Sequence, residues 1–244
     1  MTDKWREIWN KRNFNFEILK TKDKELIFRE LKRADGFDVV HKGLSVASLI
    51  KQFEDTKNQF ANAFEDRDFS HANSLYEVGC GAGANLYMFE QLGLKVGGID
   101  YSKALCDIAR KILKSSDIIC AEAIRMPSAD AGIYDFVLSN SVFSYFPDFL
   151  YAQSVLEKMY EKCKYAIGII DIHDKEKEQA FIDYRIKTVP NYKERYKDLK
   201  KLFYDKDFFI NFAQKHRMKI LFSKSEVEGY WNNDFVFSCF LYKN

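Results

Sequence analysis

Apolar residues in the first seventy positions recur at helical spacing. Between Thr2 and Arg33 they fall at Trp5, Ile8 and Trp9, then at Ile18, Leu19, Leu26, Ile27 and Leu31, in a charged background. This predicts helices separated by a break near Asn13 to Asn15. Ala34-Asp35-Gly36-Phe37-Asp38 reads as a loop. Ser45 reads as the cap of a helix reaching Phe64, with Leu49, Ile50, Phe53, Phe60 and Phe64 on one face. From Leu75 the rhythm changes to short apolar runs alternating with amphipathic stretches. Strands are predicted at Leu75–Val78, Lys95–Asp100, Ile118–Cys120, Tyr134–Ser139 and Tyr165–Asp171, with helices over Ala84–Gln91, Lys103–Leu113 (capped by Ser102) and Asp148–Cys163. That alternation is the mark of a parallel sheet, and the unbroken apolar fifth strand belongs at its centre. His173 to Lys201 is charge-dense, with nine Lys or Arg and tyrosines interleaved at 184, 192 and 196. Two closing strands, Met218–Val227 and Phe235–Leu241, are joined by a turn at Trp231-Asn232-Asn233.

The chain therefore divides into a leading helical cap, residues 1–70, and an α/β domain, residues 71–244, that carries a helical insert at 174–215. At 244 residues no second full domain fits easily. A hydrophobic content of 47% and a charged content of 30% exclude a disordered chain, and a net charge of +2 argues against a dedicated nucleic-acid binder. Five scattered cysteines without a CxxC pair read as reduced thiols and imply no metal site. The charged start MTDKWREIWNKR and the lack of a long apolar run point to a soluble, cytoplasmic protein, a monomer or homodimer without a membrane partner.

The most informative stretch is Ser74 to Asp100, SLYEVGCGAGANLYMFEQLGLKVGGID, a strand, a glycine-rich turn, a helix and a second strand ending in a carboxylate. Gly79, Gly81 and Gly83 let the backbone turn sharply and pass close to a ligand. Asp100, 21 positions after Gly79, is placed to accept hydrogen bonds from a ribose diol. Gly79, Gly81 and Ala84 also satisfy a loosened dinucleotide fingerprint. Glu77, however, puts negative charge where a pyrophosphate would lie and could instead attract a cationic group.

Glu77-Val78-Gly79-Cys80-Gly81-Ala82-Gly83, with Gly98-Ile99-Asp100-Tyr101-Ser102, resembles motif I and the acidic loop of class I S-adenosylmethionine-dependent methyltransferases. The resemblance covers roughly Leu75 to Asp171. It implies a Rossmann-like fold, a mostly parallel seven-stranded sheet flanked by helices, with S-adenosylmethionine as cofactor. Glu77, Gly79, Cys80, Gly81, Asp100 and Tyr101 would line the cofactor site, and Glu122 and Ala123 after the third strand would border the adenine. The usual residue at 122 is Asp. Asp135 to Phe146 resembles motif IV, which makes Asn140 a contact of the methionine moiety or substrate and Tyr145 a wall of the acceptor pocket. Arg12, three residues from Trp9, would clamp the methionine carboxylate under that ring.

Asp171 and His173 follow the fifth strand. On an extended segment they share a face, so the carboxylate would orient the imidazole, making His173 a general base for an oxygen acceptor. Tyr204 is a further candidate substrate contact. Arg185, Lys187, Lys193 and Arg195 in the insert suggest an anionic acceptor. The flanks, including Ala34 to Asp38, Asp171 to Asp174 and Leu202 to Phe209, look like small bacterial methyltransferases, some associated with surface-polysaccharide biosynthesis. The expected activity is methyl transfer to an oxygen of a sugar, nucleotide-sugar or phosphate-derived capsule precursor. The alternatives are a non-catalytic S-adenosylmethionine-binding partner or sensor subunit, a nucleic-acid methyltransferase and a dinucleotide oxidoreductase. Ser139-Asn140-Ser141-Val142 lacks the Pro-Pro-aromatic motif of base-modifying enzymes, and the near-neutral charge also disfavours nucleic acid.

Overall fold

A computed structural model describes residues 3–37, 43–114 and 116–243; Asp38, the last residue of the predicted 34–38 loop, lies outside them. The leading helices are α1 (Asp3–Asn10), α2 (Lys24–Ala34) and α3 (Val46–Ala61). Asp23 caps α2 by accepting from the Glu25 and Leu26 amides, and Ser45 caps α3 by accepting from Ser48. The alternating part follows as β1 (Ser74–Val78), α4 (Ala84–Gln91), β2 (Lys95–Asp100), α5 (Lys103–Ile112), β3 (Ser116–Cys120), β4 (Tyr134–Asn140), α6 (Phe149–Lys162) and β5 (Cys163–His173). The insert forms α7 (Glu178–Thr188), α8 (Tyr192–Tyr196) and α9 (Lys206–Lys215), and β6 (Lys219–Lys224) and β7 (Val236–Tyr242) close the chain.

The seven strands lie in the order β3-β2-β1-β4-β5-β7-β6. β1 to β5 are parallel, and β7 runs antiparallel to both β5 and β6. Because successive strand residues face opposite sides, β4 sends Phe136 and Leu138 into a core under α2 to α5 and Val137 into a second core under α6 and α9. The leading segment shares the first of these cores. Phe60 of α3 stacks on Phe136 with centroids 4.5 Å apart, while Phe28 and Leu31 of α2 are fully buried.

Among the strand ends that depart from the sequence pattern, those of β6 and β5 bear on the site. β6 stops at Lys224 rather than Val227, because Asn233 gathers the next residues into a loop. Its Oδ1 accepts from Ser225 Oγ and the Val227 amide, and its Nδ2 donates to the Val227 carbonyl. β5 runs on to His173, but its pairing with β7 shifts between Ile169 and Ile172, and Asp171 within that irregularity has φ 64°. The segment before α9 then lies beside this strand end. Tyr204 N donates to His173 O at 2.8 Å, and Leu202 N donates to Ser144 O at 2.8 Å.

Candidate active site

The carboxyl ends of β1, β2, β4 and β5 open onto a cavity of about 410 Å³, covered by α1, α2 and the loop between β6 and β7. Parallel sheets present ligand sites at this edge. One end of the cavity is the glycine turn after β1. The other is formed by Asp171, His173, Lys201 and the Gly229–Asn232 loop.

At the glycine end the turn is held by the protein itself. Gly79 and Gly81 have φ 73° and 54°. A Cβ on Gly79 would lie 2.2 Å from Val142 Cγ2, and one on Gly81 would lie 2.2 Å from Asp35 Oδ1. The glycines thus make room for protein neighbours, a different reason from the close ligand approach expected of them. Asp35 Oδ1 accepts from Ala82 N at 2.5 Å. It thereby ties the glycine turn to the end of α2 just ahead of α4, whose N-cap, Gly83, has no side chain. Asp100 Oδ2 accepts from Gly81 N at 3.0 Å and Oδ1 from Ser102 N at 2.8 Å, which fixes the carboxylate against the cavity wall.

Glu77 is buried in the same wall. Its Oε1 accepts from Asn85 Nδ2 at 2.6 Å, Asn85 Oδ1 accepts from Lys32 Nζ at 2.9 Å, and Glu77 Oε2 has no partner. Lys32 is a buried cation from α2 with its ammonium 4.8 Å from the Phe37 ring centroid. Among the described residues the cavity is lined by four carboxylates (Asp35, Glu77, Asp100, Asp171) against two ammonium groups (Lys32, Lys201). Burial disfavours the charged form of every one of them. It pushes the Asp35 carboxyl up to about 7 and that of Asp100 to about 6, raises Glu77 and Asp171, and lowers Lys201 to about 8.

Tyr101, Glu122 and Ala123 line a narrow side cleft that shares Gly79, Asp100 and Val142 with the main cavity. Its free space of about 20 Å³ is room for one water molecule. Arg6 of α1 reaches across it, donating to Glu122 Oε1 at 2.8 Å and lying 5.6 Å from the Tyr101 ring centroid. Cys80 and Asn140 line the main cavity.

At the far end the expected pairing of Asp171 with His173 does not occur. With φ 64° at Asp171 the segment is not extended, and the Asp171 carboxylate turns toward β4 and the β6–β7 loop. Oδ2 accepts from Ser141 Oγ and from the Tyr230 hydroxyl, and Oδ1 has no partner. Ser141 is itself left-handed, at φ 59°. Two such residues cost about 1–3 kcal/mol each and are held where the surroundings over-determine them. His173 instead meets Ser144 through Nδ1 at 2.5 Å. Ser144 Oγ also accepts from the His173 amide at 3.4 Å, so its own hydrogen is best used toward Nδ1. This leaves the neutral ring protonated on Nε2, which is buried without a partner among the described residues. Burial, with Lys201 and Arg185 nearby, holds the imidazole well below its usual range. An Nε2–H is a donor, so the geometry does not suit His173 to the base role expected from its position.

Tyr145 lines the cavity, with Trp5 and Trp9 of α1 edge-on to its ring at 4.7 and 5.9 Å. Arg12 is outside the lining, 5.1 Å from the Trp9 ring centroid. Tyr204, expected at the substrate, is fully buried in the core under α6 and α9 and donates to the Phe143 carbonyl at 2.8 Å. Of the insert cations, Lys187, Lys193 and Arg195 are exposed, and Arg185 is half-buried against Trp231. Sequence reasoning missed Lys32, Asp35, Ser141, Lys201, Tyr230 and Asn232 as lining residues. A readable signal existed only for Lys32, which lies four residues after Phe28 on the apolar face of α2.

Residues 76–165 match the methyltransferase domain family. No curated protein matches the chain. Among solved structures, the chain is similar to the magnesium protoporphyrin IX methyltransferase of Synechocystis PCC 6803 with bound SAH (TM-score 0.59, 12% identity, 99% of this chain and 93% of that one). It is also similar to the plantazolicin methyltransferase BpumL in complex with SAH (TM-score 0.55, 19% identity, 93% and 99%). A third is SAM-bound CalS10, an amino pentose methyltransferase from Micromonospora echinaspora involved in calicheamicin biosynthesis (TM-score 0.59, 10% identity, 80% and 91%). The chain has the class I methyltransferase fold. Within this methyltransferase fold the matched segment runs from β1 into β5 and contains the glycine turn and the ends of β2 and β4. Lys32, Lys201 and the Gly229–Asn232 loop lie outside it.

Proposed function

We propose that the protein transfers the methyl group of S-adenosylmethionine to an oxygen of a small-molecule acceptor. The observation that carries this reading is the electrostatics of the glycine end. Three buried carboxylates, Asp35, Glu77 and Asp100, face one ammonium group, Lys32, there among the described residues, and Glu77 Oε2 has no partner among them. Such a wall is relieved by a cation, and S-adenosylmethionine carries a sulfonium and an ammonium group. A dinucleotide would instead bring pyrophosphate charge against Glu77. Glu77 and Asp100 would face the amino group and the ribose diol, Lys32 the carboxylate, and Tyr101, Glu122 and Ala123 the adenine. Opening the adenine cleft requires the Arg6 bridge to Glu122 to shift.

When bound, the cofactor supplies an electrophilic methyl on sulfur. This chain's part is to hold the acceptor oxygen in line with that methyl, exclude water and receive the proton. Asp171 takes the last role in place of His173. Asp171 lines the cavity, and its Oδ1 is unpartnered among the described residues while Ser141 and Tyr230 hold Oδ2. Burial raises its proton affinity above that of an ordinary carboxylate, which makes it the better base. As to acceptor, we favour a sugar, nucleotide-sugar or phosphate-derived capsule precursor; the cavity's hydroxyl and carboxylate groups and aromatic walls suit a polar, hydroxylated molecule.

Calorimetric titration with S-adenosylhomocysteine, with NAD and NADP as controls, tests the cofactor. Micromolar binding of the thioether alone is expected. No binding, or binding of NAD instead, overturns the reading.

A further inference from the structure

The far end of the cavity is lined by two nitrogen donors, Lys201 and His173, and a third, Arg185, lies against Trp231 of the same wall. Lys201 Nζ lies 4.9 Å from the Tyr145 ring centroid and 5.8 Å from that of Phe181, and among the described residues it forms no ion pair. His173 lines the cavity and is wedged edge-on between Phe181 and Phe203, with centroids 4.9 and 5.2 Å away; its buried Nε2 has no partner among the described residues. The Arg185 guanidinium lies over Trp231, 4.7 Å from its centroid, and bonds the neutral hydroxyls of Tyr196, at 3.4 Å, and Tyr192. The nearest carboxylate, Asp171, already accepts from two hydroxyls.

Resting on the reading of the site above, we propose that Lys201, His173 Nε2–H and Arg185 form an anion subsite. It seats a carboxylate or phosphate of the acceptor, while Asp171 Oδ1 faces the hydroxyl to be methylated. Asp171 gives Lys201 a partial counter-charge, but Lys201 and Arg185 repel one another, and a polyatomic anion satisfies several fixed donors at once. Tyr145 and Trp231 wall the same space, so the anion enters beside flat aromatic faces. The acceptor class is thus a hydroxylated acid or phosphate ester, with the charged group and the reacting hydroxyl on one small molecule. The exposed Lys187, Lys193 and Arg195 have no part in this subsite.

The test uses the full-length protein labelled with ¹⁵N-histidine and saturated with S-adenosylhomocysteine. The chain has four histidines, and His173→Gln assigns the ring signals. Long-range ¹H–¹⁵N spectra are expected to show His173 as the Nε2–H tautomer. Titration with inorganic phosphate and with acetate should move its Nε2 resonance saturably; the arm that saturates identifies phosphate or carboxylate as the preferred group. Lys201→Met should weaken the anion at least about tenfold, and Lys201→Arg should retain it, a fixed donor being what the subsite requires. Arg185→Met serves as the second variant if Lys201→Met no longer binds the thioether. An Nδ1–H tautomer, or a resonance that neither anion moves while the thioether stays bound, overturns the subsite alone. Failure of the wild-type protein to bind the thioether instead removes the cofactor reading on which it rests.

Discussion

Gly81→Ala separates two explanations of the glycine turn. A Cβ at this position lies 2.2 Å from Asp35 Oδ1 and 2.8 Å from Asp35 Cγ, and the residue has φ 54°. The left-handed conformation alone costs a non-glycine residue about 1–2 kcal/mol. Expelling Asp35 removes a charge-assisted bond to Ala82 N, worth about 1.5–3 kcal/mol. The expected loss is therefore about 3–5 kcal/mol, a large share of a domain's net stability. Equilibrium urea unfolding at pH 8, above the Asp35 value of about 7, measures it. Because the clash is with Asp35, Asp35→Ala in the same chain should absorb part of the damage, and the double variant should be more stable than the sum of the singles by about 1 kcal/mol or more. Strict additivity would refute the reasoning and return the glycine to a role in ligand approach.

Two further outcomes are expected. Asp171→Asn keeps the shape but turns an acceptor toward the reacting hydroxyl into a donor; once an acceptor is found, turnover should fall about 10²–10⁴-fold and the acid limb of the pH profile should vanish, with thioether affinity within about threefold of wild type. A loss under about tenfold would remove Asp171 as the base. The carboxyls of Asp35 and Asp100 are raised from 3.8 to about 7 and about 6, so the folded state holds more protons than the unfolded one and their contribution is lost as pH rises through those values. Melting temperature should therefore fall between about pH 5 and pH 8 in the free protein, and binding of the cationic cofactor should release protons, read by calorimetry in buffers of different ionisation enthalpy. Buffer-independent heats would contradict this.

The strand and helix order of the α/β part was legible because it rests on local periodicity. β2 and α4 have the expected bounds, and Ser45, Ser102 and Asp148 cap the helices they precede. The glycine turn and Asp100 were legible for the same reason, since each belongs to one strand end. Arg12, Tyr204 and the partnership of His173 were misjudged because they depend on contacts between distant segments. Tyr204 follows a charged insert and reads as a substrate contact, yet its hydroxyl closes on Phe143 in the core.

The chain by itself determined a parallel sheet, a glycine turn after its first strand and a carboxylate at the end of the second. These follow from side-chain alternation and from backbone freedom, which neighbouring residues set. Only the tertiary structure decided that Lys32 and Asp35 of the leading helices close the turn, and that Asp171 swings to Ser141 and Tyr230 while His173 goes to Ser144. It also decided that Lys201 lands beside Tyr145. Each depends on an irregular backbone position or on the approach of segments far apart in the chain, and neither leaves a periodic trace in the sequence.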